Sequence, residues 1–208
     1  MNGPYTFESP KIQLERFVLD FIKADEIRNL LHDYGIVQDN PDDDHVYLRM
    51  QGGETVQHLS VSVDGVDEGA PQGAESVSTT EADLPSIVEH LLNKLHHNQM
   101  VLVPVGKWRS VFDIVAFSLA ENEEWQRIDA AASVELNSRD PLLADAGDLH
   151  VLEELFKALL RDSDTPDQGL ILIAVGVPVL MEVVPGKGLR MSFGNEAIAA
   201  EVREICAA

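Results

Sequence analysis

The stretch GLILIAVGVPVLMEVV, Gly169 to Val184, decides the fold. Its single ionisable residue is Glu182, so most of it must be buried. It falls short of the roughly 20 unbroken apolar residues that a membrane helix needs. Gly176 and Pro178 interrupt it where a hairpin turn would fall. Ile171, Ile173, Val175, Val179, Val183 and Val184 are β-branched and pack well on a pleated surface. The expectation is a central β-hairpin covered by helices, and hence an α+β protein of mostly antiparallel sheet flanked by helices.

Downstream, Pro185-Gly186-Lys187-Gly188 reads as a turn into a strand from Leu189 to Phe193, and Asn195 as the cap of a last helix. Upstream, Asp148 opens a helix with Val151, Leu152, Leu155, Phe156, Leu159 and Leu160 on one side. Ala132 to Asn137 reads as a strand, Ala120 to Ile128 as a short helix, and Met100 to Val105 as a buried strand. Asp83 precedes a helix striped by Ile87, Val88, Leu91, Leu92 and Leu95. The segment 110–119, SVFDIVAFSL, fits two patterns. Trp108, Val111, Phe112, Val115 and Leu119 form a helix face, but Ile114 and Phe117 then fall on its polar side. Almost every position of a strand would be apolar, and a strand buried on both faces is the expectation.

Nearer the start, Ser9-Pro10 looks like a helix start, and the apolar spacing predicts one bent helix or two short ones over 10–34, ended by Gly35. HVYLRM (45–50) is a strand and Gly52-Gly53 a turn. In HLSVSVDG, Leu59, Val61 and Val63 alternate with His58, Ser60, Ser62 and Asp64, the period of a strand with one wet face. Residues 65–82 hold almost nothing to bury and read as a loop long enough to be mobile. A faint repeat runs through this order. DLPSIVEHLLNKLHH before QMVLVPVG is matched by DLHVLEELFKALLRD before QGLILIAVG. Convergent patterning and duplication both account for it. The expected division is an N-terminal half, 1–128, and a C-terminal half, 129–208, packed as one body.

Fifteen basic against 36 acidic residues leave a net charge of −21. Such a polyanion repels nucleic acid and anionic lipid, so neither is an expected partner. Solubility accounts for the charge, and a basic protein partner is the sharper account. Cys206 is the one cysteine, which excludes an intramolecular disulfide or a cysteine metal cluster. MNGPYTFESP lacks the basic and apolar regions of a signal peptide, and a reducing cytoplasm is the expected location.

No catalytic, cofactor or metal site is expected. The run Asp39, Asp42, Asp43, Asp44, His45 is rich in oxygen ligands but lacks the spacing of a calcium loop. His90 and His97 stand two helical turns apart, and His96 points away from both. No G-x-S-x-G elbow or complete phosphate loop occurs. Four residues remain as candidates for partner contact or a polar site. Trp108 and Trp125 are either exposed anchors of the kind enriched at interfaces or lids on the core. Arg139 and Asp140 lie in a polar loop after the expected strand 132–137, joined by Glu135 and His150 if a small-ligand or enzyme site assembles around 135–150.

The order helix, strand, strand, helix, strand, strand, helix over 25–128 resembles the fold of type III secretion chaperones and of the YbjN-like bacterial proteins. The residues that carry it are Ile27, Leu30, Leu31 and Gly35, then HVYLRM, LSVSVDG, and the helix from Leu84-Pro85 through Leu91, Leu92 and Asn93. The resemblance implies a non-catalytic α+β module, chaperone-like or an adaptor, that acts as a homodimer and binds a partner chain.

Overall fold

A computed structural model describes residues 20–39, 44–63, 65, 67–95, 99–132, 136–145 and 148–207. In chain order the elements are β1 (Asp20–Phe21), α1 (Arg28–Asp33), β2 (Ile36–Asp39), β3 (Tyr47–Met50), β4 (Gln57–Ser62), β5 (Glu75–Ser78), α2 (Leu84–Leu95), β6 (Gln99–Pro104), α3 (Trp108–Ser118) and α4 (Glu123–Ala132). Then follow β7 (Leu142–Asp145), α5 (Leu149–Asp162), β8 (Leu170–Ala174), β9 (Val179–Val184), β10 (Gly188–Phe193) and α6 (Glu196–Ala207). The class is α+β.

The 169–184 stretch is the hairpin β8–β9, with Ile173 opposite Leu180 and Gly176 at φ 97 in its turn, a backbone that favours glycine. It sits inside an eight-stranded sheet ordered β1-β7-β6-β8-β9-β10-β4-β5. Every pairing is antiparallel except β4–β5, which is parallel. β8 is buried at every position, because both faces of the sheet are covered there. Leu170, Leu172 and Ala174 join the core under the helices, which α2, α3, α5 and α6 build by packing on one another and on the strands. Ile171 and Ile173 join a second core on the opposite face, where the separate hairpin β2–β3 and the residues around α1 lie. Gly35, at φ 63, ends α1 as a left-handed cap.

Several expectations are corrected. The segment 110–119 is helical, not a strand: Ile114 is buried, and Phe117 stands 80% exposed at the end of α3. Single exposed apolar side chains are normal on a folded surface, so Phe117 did not require a strand. The repeat fails at the same place, since α3 follows β6 where β9 follows β8. Asp20–Phe21 pairs with β7 rather than continuing a helix; residues 1–19, including Ser9-Pro10, lie outside the described residues. Of the expected strand 132–137, Ala132 ends α4 and Leu136-Asn137 is a turn, while 133–135 lie outside the described residues. The segment 65–82 contains a strand, β5, held by β4. Strands from 1–128 and 129–208 alternate in the one sheet, β6 between β7 and β8, and β4 beside β10. No described helix is long and apolar enough to cross a membrane.

Candidate binding cleft

The face of the sheet opposite the helices changes character from one strand to the next. Cross-strand register places Ser60, Arg190, Glu182, Ile171 and Val103 in one row, and His58, Ser192, Leu180, Ile173 and Val101 in the next. The apolar ends of both rows lie under the β2–β3 hairpin, in contact with Met50, Ile36 and Val56. Arg190, Glu182, His58 and Ser192, from their polar ends, floor a cleft of about 720 Å³. One wall is β3 with the turn after it, Tyr47 to Gly53; the other is formed by Gly69, Pro71 and Gln72.

Asp67 and Arg190 hold that second wall to the sheet. Arg190 Nε donates to Asp67 Oδ2 and Nη2 to Oδ1, both at 2.7 Å. Ser60 Oγ donates to Oδ2 at 3.0 Å and Gly69 N–H to Oδ1 at 3.1 Å. The guanidinium, together with these donors, holds the Asp67 carboxyl down at about 2, against desolvation that acts the other way. Such two-pronged pairing is the geometry for which arginine is suited. Gly69 lies so close over the guanidinium that a Cβ there would run into Arg190. Across the cleft, Arg49 is held in the same two-pronged manner by Asp39, at 2.9 Å twice.

Glu182 differs. Its one ionic contact among the described residues, from Arg190 Nη1, is 3.5 Å long, and burial raises its pKa against the pull of Arg190. His58 Nδ1 lies 2.9 Å from Ser192 Oγ, and burial lowers the imidazole's pKa. A serine beside a histidine is the beginning of a nucleophilic pair. No described residue bonds the second ring nitrogen of His58, and the pair belongs to the polar floor. Among the described residues no three His, Cys, Asp or Glu side chains converge as a metal site.

The four residues expected from sequence lie elsewhere. Trp108 and Trp125 are buried at 1% and 2% exposure, so they are core, not exposed anchors. Both stack edge-on against Phe112, and their indole N–H groups donate to Asp140 C=O at 2.8 Å and Val151 C=O at 3.1 Å. Arg139 reaches the Asp44 backbone carbonyl and lies 3.9 Å from its carboxylate. Asp140 pairs with Lys23 at 2.5 Å. Neither lines the cleft. Glu135, and residues 40–43, 96 and 97 of the acidic and histidine clusters, lie outside the described residues, as does the His150 side chain.

One signal for the real cleft was present in sequence. The polar phase of HLSVSVDG supplies His58 and Ser60, and Glu182 is the lone acid of an apolar hairpin. Ser60 and Ser62 are buried, so that phase marks a covered polar face and not a wet one. Nothing local marked Asp67. Comparison with protein-family models, curated proteins and solved structures gives no match.

Proposed function

We propose that this protein is a non-catalytic binding module, chaperone-like or an adaptor, that receives a basic protein partner in the cleft. The observation that carries the reading is how the cleft's ions are spent. Both guanidiniums among its lining residues, Arg49 and Arg190, are already held two-pronged by aspartates. A small anionic substrate finds no unspent cation among the described residues that line it. Glu182, by contrast, retains acceptor capacity beyond one long contact. Three carboxylates, Asp39, Asp67 and Glu182, stand against two guanidiniums, within a chain of charge −21 that would steer a cationic partner.

A small neutral ligand is the second reading, since 720 Å³ falls within the roughly 300–1,000 Å³ of small-molecule sites. A homodimer is compatible with either, β5 being an outer edge of the sheet. A cytoplasmic location belongs to the same proposal. Its support is that the chain carries a single cysteine, Cys206, as a chain kept in a reducing compartment would.

Selection of a displayed random peptide library on the immobilised protein at low salt tests the main reading. Enrichment of lysine- and arginine-bearing sequences, abolished at high salt, is expected. No enrichment, or enrichment of acidic sequences, would overturn it.

A further inference from the structure

The open edge of β3 adds a geometric element to the cleft. Gln51 N–H donates to Gly35 C=O at 2.7 Å. Bonded and non-bonded pairs alternate along an antiparallel ladder. Ile36 opposite Met50 and Gln38 opposite Leu48 are therefore the non-bonded pairs, and the main-chain groups of Leu48 and Met50 point away from β2. Val46, in the same phase, shows where that edge begins: its N–H donates to Val105 C=O at 2.7 Å. Beyond it the edge runs along the cleft wall. No described residue bonds the N–H or C=O of Leu48 or Met50.

We infer that this edge takes up an extended, lysine- or arginine-bearing segment of a partner protein as an added strand, with Glu182 receiving one of its cationic side chains. The inference rests on the binding-module reading above. An unpaired edge supplies main-chain bonds to any extended chain, and the cleft supplies the selectivity. Alternate side chains of an added strand face the sheet as Leu48 and Met50 do, where Leu180 and Glu182 form the floor. The apolar positions of the segment meet Leu180, and a long cationic side chain reaches Glu182. A second edge, β5, competes in principle, but none of its residues lines this cleft.

The test uses the full chain and a labelled short peptide. In it every second residue, the set that shares one face of a strand, is valine and lysine in turn, with serine between them. The same peptide with glutamate for lysine is the control, and binding is followed by fluorescence anisotropy at low salt. The lysine peptide is expected to bind and the glutamate peptide not. Methylating the peptide's backbone nitrogens is expected to weaken binding roughly tenfold or more, the equivalent of two lost hydrogen bonds. Amide exchange at Leu48 and Met50 should slow when the lysine peptide is bound. Glu182→Gln is expected to weaken that peptide roughly threefold or more; unchanged affinity would remove Glu182 from the site. Equal binding of the methylated peptide, or slowed exchange at β5 alone, would overturn strand addition while leaving the basic-partner reading standing. No preference for the lysine peptide over the glutamate peptide would overturn both.

Discussion

Asp67 carries the far wall of the cleft almost alone, since Arg190, Ser60 and the Gly69 amide all converge on its carboxylate. Its folded value of about 2 lies below the ordinary 3.8. Ionised Asp67 therefore favours the folded chain above pH 3.8, and that contribution is lost as pH falls from 3.8 toward 2. Asp67→Asn leaves the part-buried Arg190 only its long contact with Glu182 and is expected to cost about 3 kcal/mol at neutral pH in urea unfolding. The variant's stability should also fall less steeply than the parent's over that acid range. Equal acid limbs would show that the pair does not carry the wall. None of this was legible locally, because Asp67 and Arg190 are brought together by β4–β10 pairing and not by sequence spacing.

At the scale of elements, α3 and β8–β9 show where pattern reading works and where it fails. The hairpin was legible because a run that apolar can only be buried on both faces, and glycine and proline marked its turn. In α3 the stripe Trp108, Val111, Phe112 and Val115 was also visible, and all four are buried as a helix face. The strand expectation weighed Phe117 as a residue needing burial, whereas the helix leaves it in solvent. Ile114→Asp is accordingly expected to cost about 3 kcal/mol or more by denaturant unfolding, and Phe117→Asp to stay within about 0.5 kcal/mol. Comparable losses at the two positions would contradict the helix.

At the scale of the molecule, charge and edges set how chains meet. Self-association through β5 predicts a light-scattering mass of twice 22.9 kDa that persists from low to high salt; a mass of 22.9 kDa in both would remove the dimer. Sequence by itself determined the α+β class, the central hairpin, the helices packed over it and the acidic balance. Burial demand and turn chemistry act over a few neighbouring residues, and composition is a sum over all of them. Only the tertiary structure decided that strands of both halves interleave in one sheet, that Trp108 and Trp125 are core, and that His58, Asp67, Glu182, Arg190 and Ser192 share one site. Those five come from β4, the segment after it, β9 and β10. Their proximity is set by strand order and register, long-range pairings that no local spacing encodes.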